Sequence, residues 1–381
     1  MKLLHTADLH IGKLLHEYSL LEEQKYVLDE IVTIAKKEAV QAVLIAGDVY
    51  DRAIPPSDAV IVLSEFLTKL TDAGICVCMV SGNHDSPERI SFGNKMLEAK
   101  GLYIAGEVCQ EVKKVCLQDE FGEVNLYLLP FAKPATLRYF GYEGGSYGAC
   151  VADVIRKLPI DPNERNILVT HHFIGGGGIE LEEPEAEYPI HVGGIDMVDY
   201  HCMEDFDYVA LGHIHRGQSV GKPYIRYAGS PYKYSFSEAL DDKKVLLITL
   251  GEKKEIAITP ISLHPKKDLR AIKGELSMLL SKEVWQAENA EDYLSVTLTD
   301  KQELYDPLGK LRAVYPNICK LVIEKNLRHD TEIEAMGTEM TRRSPLAIFE
   351  EFYEKVTDEV LDEESKNIMC AILEEVGGEV E

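Results

Sequence analysis

Residues 42–51 read AVLIAGDVYD, an apolar run that ends in a glycine and an aspartate. The first five residues show no polar alternation, which predicts a strand buried on both faces. Gly47 then lets the backbone turn sharply, so that Asp48 lies directly at the end of the strand. A carboxylate in that position can bridge two metal ions with its two oxygens. The stretch therefore predicts a buried sheet and one member of a metal site.

Four further polar phrases follow strand-like runs in the same way. In chain order they are Asp8-Leu9-His10, Gly82-Asn83-His84-Asp85, Thr170-His171-His172 and Gly212-His213-Ile214-His215. The candidate metal ligands are Asp8, His10, Asp48, Asn83, His171, His213 and His215. Nitrogen and oxygen ligands without thiolate suit Mn²⁺, Fe²⁺ or Mg²⁺ better than structural zinc. Two such ions would activate a bridging water and clamp a phosphate oxygen, so the set predicts hydrolysis of phosphate esters.

His84 is predicted to act on the substrate without binding metal. It follows Asn83 in a tight turn, where its imidazole could donate a proton to the leaving group or stabilise charge in the transition state. Asp85 could orient that imidazole. His172 should point away from the neighbouring ligand, and His16 could touch substrate.

Composition limits the class of protein. With 381 residues the chain is longer than one core usually serves, so two or three domains are expected. No apolar run is long enough to span a membrane, and the first residues do not resemble a signal peptide, which favours a cytoplasmic protein. The eight cysteines contain no CxxC pair and are expected to be reduced thiols.

The net charge of −25 is unusual for a protein that binds nucleic acid. Residues 331–381 alone contribute −11, and the first 330 residues are still acidic. Tight DNA binding by this chain alone is therefore not expected. A partner would have to supply much of the positive surface.

The first 260 residues are predicted to form an α/β domain with two packed mixed sheets flanked by helices, a four-layer arrangement. The first hundred residues contain predicted strands at Lys2–Ala7, Ala42–Ala46 and Ile75–Val80 and predicted helices at Leu20–Lys37, Ser57–Leu70 and Pro87–Ala99. Further strands are predicted at Val108–Leu117, Glu123–Leu129, Asn166–Val169, Tyr208–Ala210, Tyr224–Tyr227 and Lys244–Leu250. The segment of residues 175–184, rich in glycine and then in glutamate, is either a surface loop or a loop that gates substrate.

Two smaller regions follow. Residues 261–330 are predicted to form a small α/β subdomain, with helices around Asp268–Leu280 and Pro307–Val314 and strands at Tyr293–Leu298 and Ile318–Glu324. Residues 331–381 are predicted to contain two helices, the first beginning at Ser344 and the second at Leu361–Val376. The apolar stripe of the first of these helices cannot bury itself. It must pack on the rest of the chain or on a partner.

The five phrases resemble the calcineurin-like metallophosphoesterase superfamily, whose pattern is DxH, GDxxD, GNHD, a strand-end histidine and GHxH. A narrower resemblance is to the SbcD family of nuclease subunits, which serves in double-strand-break repair. It is carried by Thr6–Gly12, Ile45–Asp51, Asp207–His215 and Tyr227–Pro231, and it continues through Leu269–Gly274, Tyr293–Asp300, Leu311–Asn317 and Ser344–Val356. Nearly the whole chain is covered.

The resemblance implies two metal positions with Mn²⁺ as the metal. One would be held by Asp8, His10, Asp48 and His215, and the other by Asp48, Asn83, His171 and His213. His84 is the implied catalytic histidine. The implied activities are a 3′-to-5′ exonuclease on double strands and an endonuclease on single strands, which act in DNA repair, recombination and replication.

The resemblance also implies partners. Residues 261–330 would cap DNA, and the C-terminal helices would dock on an SbcC-type ATPase. The helices predicted at Ser57–Leu70 and Pro87–Ala99 would form a homodimer, so that the complete complex is a heterotetramer.

Two other functions compete with the nuclease. One is a phosphoesterase on small molecules or phosphoproteins, although protein phosphatases of the superfamily usually have GNHE where this chain has Asp85. The other is a scaffold that has lost its chemistry. That interpretation requires a missing ligand, and none is missing.

Overall fold

The computed structural model describes residues 1–179, 181–182 and 197–324, together with nine single positions between residues 346 and 369. The chain divides into two compact units. The first is Met1–Ala271 with Asn289–Ser295 and Asn317–Cys319, and the second is Ile272–Glu288, Val296–Pro316 and Lys320–Glu381. The predicted boundaries after residues 260 and 330 remain predictions. The two helices predicted beyond Ser344 lie outside the described residues except for those single positions.

The described residues form nineteen strands and nine α-helices. The strands are β1 (Lys2–Thr6), β2 (Leu14–Leu15), β3 (Tyr18–Ser19), β4 (Ala42–Ala46), β5 (Cys76–Val80), β6 (Leu102–Ala105), β7 (Lys113–Asp119), β8 (Gly122–Leu129), β9 (Arg165–Thr170), β10 (Ile174–Gly175), β11 (Val198–Asp199), β12 (Tyr208–Leu211), β13 (Gln218–Val220), β14 (Lys222–Tyr227), β15 (Lys244–Leu250), β16 (Ile256–Ser262), β17 (Leu269–Gly274), β18 (Tyr293–Leu298) and β19 (Ile318–Ile323). The helices are α1 (Leu21–Lys37), α2 (Ser57–Asp72), α3 (Pro87–Ile90), α4 (Asn94–Leu97), α5 (Pro134–Tyr139), α6 (Tyr147–Arg156), α7 (Leu276–Leu279), α8 (Lys282–Trp285) and α9 (Pro307–Arg312).

Two six-stranded sheets form the centre of the first unit. Their strand orders are β16-β15-β1-β4-β5-β6 and β13-β14-β12-β9-β8-β7. In each sheet four neighbouring strands run parallel, and antiparallel strands complete the sheet. Both sheets are therefore mixed, as predicted.

Alternate residues of the buried strands serve two different cores. In β4, Val43 and Ile45 pack with side chains of α1 and α2. Ala42, Leu44 and Ala46 instead face the second sheet in the core between the two sheets. A third core packs α5 and α6 on the outer face of the second sheet. The order helix, sheet, sheet, helix confirms the predicted four-layer fold.

Three predicted elements differ in the structure. The helix predicted at Pro87–Ala99 is broken into α3 and α4, because Gly93 between them has a φ of 71° that a continuing helix cannot accommodate. The strand predicted at Val108–Leu117 begins only at Lys113. Lys113 pairs with the second-last residue of β8, and the proline that follows β8 has no N–H to extend the ladder.

The third difference concerns Asp268–Leu280, which was expected to be one helix. The structure has strand β17 at Leu269–Gly274, followed by the single-turn helix α7. In this segment the more buried and more exposed residues alternate, and this period of two belongs to a strand. Leu276 and Leu279 give a helical spacing only after the strand has ended.

The second unit has a small core of its own. Leu276, Leu279, Leu311 and Tyr315 are buried, and the Tyr315 hydroxyl donates a hydrogen bond of 2.8 Å to the carbonyl of Leu279. Among the described residues of the whole chain, the cysteines are free thiols. None of the described helices is both long enough and apolar enough to cross a membrane.

Candidate metal centre

The structure brings the predicted ligands and His84 together at one edge of the paired sheets. They follow the carboxyl ends of the parallel strands β1, β4 and β5 in one sheet and of the parallel strands β9 and β12 in the other. The carboxyl edge is where open α/β sheets place their ligand sites. The convergence that the five phrases required is therefore present.

Four of the predicted ligands have a backbone conformation that residues other than glycine rarely adopt. The φ angles are 52° at Asp8, 41° at His10, 47° at Asp48 and 97° at His213. Hydrogen bonds hold these turns: the Asp8 N–H donates to the Gly47 carbonyl at 3.0 Å, and the His213 N–H donates to Asp8 Oδ1 at 2.8 Å. Backbone strain of this kind, held in place by its surroundings, is concentrated at functional sites.

One group of candidate ligands consists of Asp8, His10 and His215. Their ligand atoms lie within 4.8 Å of one another, and the two Nε2 atoms of the histidines are 3.1 Å apart. Asp8 Oδ2 is buried and has no hydrogen-bond partner in the described structure. Because a buried polar atom without a partner costs free energy, this atom fits a site that binds a cation.

A second group gathers around the amide of Asn83. Its Oδ1 lies 3.2 Å from His171 Nε2 and 3.0 Å from His213 Nδ1. His171 Nδ1 lies 2.7 Å from the Ala46 carbonyl, which can only accept, so Nδ1 bears a hydrogen and Nε2 is the nitrogen that can bind a metal. That arrangement is the one a metal ligand needs.

One oxygen of Asp48, Oδ2, lies between the two groups. It is 3.7 Å from His10 Nε2 and 3.1 Å from His171 Nε2. The other oxygen, Oδ1, instead accepts a 2.9 Å hydrogen bond from the backbone N–H of His84. Oδ2 is therefore the oxygen that faces both groups, and a bridge through both oxygens stays a prediction.

His84 has its ring fixed by a backbone carbonyl. Its Nδ1 lies 2.8 Å from the carbonyl oxygen of Asp51, so Nδ1 donates and the ring is held with Nε2 toward Asp48. Nε2 is 3.9 Å from Asp48 Oδ2, and His84 also belongs, with His10 and Asp48, to a group whose atoms could hold a metal.

Asp85 does not have the role that the sequence indicated. Its buried carboxylate accepts hydrogen bonds from the backbone N–H groups of Val49 at 3.0 Å, Tyr50 at 2.9 Å and Gly82 at 2.8 Å. These bonds tie the turn after β4 to the turn after β5. The prediction that Asp85 orients His84 is wrong, because its oxygens are directed at backbone groups of both turns.

Burial and neighbouring charges shift the pKa values in the cluster. Burial raises the pKa of Asp8 to about 6 and lowers the pKa of His213 to about 3. Burial likewise raises the pKa of Asp48 and lowers that of His171, but the attraction between these two side chains outweighs it. The result is a pKa of Asp48 below its usual range and a pKa of His171 raised to about 9. A divalent cation would compete with the proton for His171 Nε2.

Two other predicted features can be located. His172 is buried and points away from the cluster, with its Nδ1 2.6 Å from the Tyr147 hydroxyl. His16 is exposed, and its ring lies 6.1 Å from that of Phe236. Its contact with substrate remains a prediction.

Sequence reasoning missed the residues that support the ligands from behind. Glu238 Oε1 lies 3.2 Å from His215 Nδ1, and Gln24 Nε2 donates to the carbonyl of His10 at 2.7 Å. Burial opposes ionisation of Glu238, yet its contacts with His215 and Lys243 lower its pKa to about 2. No spacing in the sequence connects these residues to the ligands. The only signal was the position of Glu238 shortly after the family-like stretch Tyr227–Pro231.

Comparisons with known proteins agree along the chain. Residues 1–217 match the family model described as calcineurin-like phosphoesterase, and residues 265–357 match the model described as Type 5 capsule protein repressor C-terminal domain. The D subunit of nuclease SbcCD from Staphylococcus epidermidis is 32% identical over 99% of this chain and 100% of that protein. The protein of the same name from Staphylococcus saprophyticus is 32% identical over 98% of this chain and 99% of its own. A solved dimetal phosphatase from Danio rerio covers 69% of this chain and 99% of its own at a TM-score of 0.38 and 12% identity, which is too low to support an inference.

Proposed function

The chain belongs to the calcineurin-like phosphoesterase family and, within it, to the SbcD nuclease subunits, and we propose that it is a metal-dependent DNA nuclease. In detail, we propose a Mn²⁺-dependent 3′-to-5′ exonuclease on double strands and an endonuclease on single strands. It would act in the cytoplasm with an SbcC-type ATPase in DNA repair, recombination and replication. The observation that carries the proposal is the convergence of the predicted ligands into two groups, with Asp48 Oδ2 lying near a histidine of each.

Two metal positions are proposed around that oxygen. The first would be formed by Asp8, His10, Asp48 and His215, and the second by Asp48, Asn83, His171 and His213. The unpartnered Asp8 Oδ2 and the orientation of His171, whose Nδ1 is fixed by the Ala46 carbonyl, support these positions. Two divalent ions bound there would supply an activated water and would neutralise charge on a phosphate oxygen. The physiological ion could be Mn²⁺, Mg²⁺ or Fe²⁺, and Mn²⁺ is the proposal.

His84 is proposed as the catalytic histidine. The Asp51 carbonyl fixes its ring through Nδ1, so a proton carried on Nε2 can be delivered to the leaving oxygen of the substrate. The neutral ring would then remain in place for the next cycle. His84 does not need to bind a metal for this role. Its Nε2 lies 3.9 Å from Asp48 Oδ2 and is therefore beside the proposed metal positions.

One experiment tests both the metal positions and His84. Cleavage of linear duplex DNA is titrated against Mn²⁺ with wild type, His84→Ala and Asp48→Ala, in the presence and absence of the ATPase partner. We expect His84→Ala to bind two ions and lose about 10²–10⁴-fold in rate, since that is the usual contribution of a general acid. Asp48→Ala should lose both binding and cleavage. The matched control is His201→Ala, an exposed histidine paired with Asp199, which should cleave as wild type does. Retained cleavage by Asp48→Ala would refute the two-metal proposal.

A phosphoesterase on small phosphoesters is the second candidate. The site chemistry would be the same, so the substrate must decide between the two. The full-length match to nuclease subunits and the match of residues 265–357 favour DNA, with residues 261–330 as a capping region. Hydrolysis of nitrophenyl phosphate without any DNA cleavage, even with the ATPase present, would establish the second candidate instead.

A homodimer is proposed on the helices that follow β4 and β5. Exposed apolar side chains cluster in this part of the sequence, where Ile54 is 70%, Ile61 is 55%, Phe92 is 86% and Met96 is 80% exposed. Large apolar side chains that are exposed together are typical of interaction surfaces. Light scattering should give twice the chain mass for wild type and the single mass for Ile61→Glu. A monomeric wild type would contradict the proposal.

Docking of the ATPase is proposed on the C-terminal segment of residues 331–381. This segment carries much of the net negative charge and an apolar stripe, so a basic partner surface would complement it. Deleting residues 344–381 should abolish binding of the ATPase and leave Mn²⁺ binding unchanged. Unchanged affinity for the ATPase would refute this role.

A further inference from the structure

Residues 230–238, the support segment, lie behind part of the metal centre. Glu238 at its end is 1% exposed, and its Oε1 is 3.2 Å from His215 Nδ1. A carboxylate only accepts, so the hydrogen of His215 is held on Nδ1 and the Nε2 lone pair is directed toward His10. A buried carboxylate thus selects the tautomer of a proposed ligand.

Lys243 contacts both Glu238 and the backbone of His215. Its Nζ lies 2.5 Å from Glu238 Oε2 and 3.0 Å from the His215 carbonyl, and its side chain is 6% exposed. The N–H of Ser230 donates to the same carbonyl at 3.1 Å. His215 is therefore fixed through its ring by Glu238 and through its backbone by Lys243 and Ser230.

Tyr234, in the middle of the support segment, fixes the strained turn at His10. Its hydroxyl donates to the carbonyl of Leu9 and accepts from Gln24 Nε2 at 3.2 Å. Gln24 Nε2 also donates to the His10 carbonyl at 2.7 Å. The support segment thus acts on two of the proposed ligands, His10 and His215.

Both of these ligands belong to the same metal position. The ligands of the other position are held differently: His171 is oriented by the Ala46 carbonyl, and the His213 backbone is held by Asp8. We infer that the support segment sets the metal affinity of the Asp8, His10 and His215 position, with Glu238 as its main positioning residue. This inference rests on the ligand assignment of the proposed function.

The test is a calorimetric titration of metal-free full-length protein with Mn²⁺. His215→Ala and Asn83→Ala identify the two binding events, since each should remove one. In Glu238→Gln the event that His215→Ala removes should weaken about 10- to 100-fold, the usual effect of losing an outer carboxylate, and the other should stay within about 2-fold. Tyr234→Phe should weaken the same event by a smaller factor.

Two controls separate positioning from general stability. Glu30→Gln alters a similar contact on the surface, in which Glu30 Oε1 lies 3.0 Å from His264 Nδ1. This variant should change neither binding event. Glu238→Gln with Lys243→Met removes both buried charges, so no lone ammonium is left in the interior. The double variant should show the same selective weakening as the single variant, with a wild-type circular dichroism spectrum.

Each outcome decides the inference. Equal weakening of both events, no weakening of either, or loss of the fold in the single and double variants would assign the network to stability alone and overturn it. The titration uses no DNA, so its result is independent of the nuclease assay. A protein that binds two ions with selective loss in Glu238→Gln but cleaves no DNA would refute the proposed function and leave the inference standing.

Discussion

Replacing Asp85 by asparagine should weaken folding, because this carboxylate joins two turns of the metal centre. Both oxygens are engaged: Oδ2 accepts from Val49 and Gly82, and Oδ1 accepts from Tyr50. If Asp85 instead oriented His84, as the sequence indicated, the asparagine variant would fold normally and only cleave slowly. The two interpretations therefore predict different measurements.

The size of the effect follows from the three hydrogen bonds. In Asp85→Asn the amide oxygen can keep the two bonds at the Oδ2 position, which places the NH₂ group against the N–H of Tyr50. One buried donor without a partner costs about 1–3 kcal/mol, so the free energy of unfolding should fall by about 2 kcal/mol. Asp85→Ala leaves three donors without partners and should cost about 3–5 kcal/mol, near the upper end for single substitutions.

The assay is urea unfolding of metal-free protein, followed by far-ultraviolet circular dichroism. Tryptophan fluorescence is unsuitable, because the single tryptophan, Trp285, lies in the second unit. The control is Asp242→Asn, which removes the charge from an exposed 2.9 Å pair with Lys244, while the amide oxygen can still accept the exposed 3.4 Å hydrogen bond from Ser262; it should change the free energy by about 0.5 kcal/mol or less. A free energy for Asp85→Ala within that same margin would refute the reasoning.

Two further variants test the fold and the site. Hydrogen bonds from Arg165 hold the pKa of Asp119 well below its usual range, so the pair stabilises the fold at neutral pH and loses this contribution as the pH falls below about 4. The melting temperature of Asp119→Asn should accordingly lie below that of wild type at neutral pH, and the difference should shrink in acid; a constant difference would contradict this. At Gly47 (φ 87°) a Cβ would lie 2.3 Å from His171 Nδ1, so Gly47→Ala should lose Mn²⁺ affinity and about 2–4 kcal/mol of stability. Gly74→Ala, with a φ of 73° but open space around it, should lose only about 1–2 kcal/mol and no affinity for Mn²⁺, and equal losses in both variants would refute the role of the contact.

The elements predicted best are those whose sequence shows one pattern of apolar residues throughout. The strand at Ala42–Ala46 has the predicted bounds because its apolar run is uninterrupted and ends at Gly47. The helix predicted at Asp268–Leu280 was wrong because the alternation that marks a strand passes directly into a helical spacing at Leu276. Local patterns therefore identify an element reliably only where one period dominates the whole segment.

The candidate site could be predicted as a set of residues but not as a set of contacts. Each ligand follows a strand, and that is visible in the sequence. The partner of each ligand comes from a distant segment: Glu238 lies 23 residues after His215, and Gln24 lies 14 residues after His10. The role of Asp85 was mispredicted for the same reason, since the sequence does not show which backbone N–H groups a side chain reaches.

The geometry of the metal centre depends on the core between the two sheets. The ligands come from both sheets, so the ends of β4 and β9 must approach within hydrogen-bond distance, as the 2.7 Å contact from His171 to the Ala46 carbonyl requires. Small residues make this approach feasible: Ala46 and Ala210 are fully buried in the shared core, and a Cβ at Gly212 would lie 2.0 Å from the Ala46 carbonyl. Enlarging any of these residues would separate the sheets and draw the two ligand groups apart, because a close-packed interior transmits added volume as displacement. The small residues between the sheets are therefore as necessary to the two-group site as the ligands themselves.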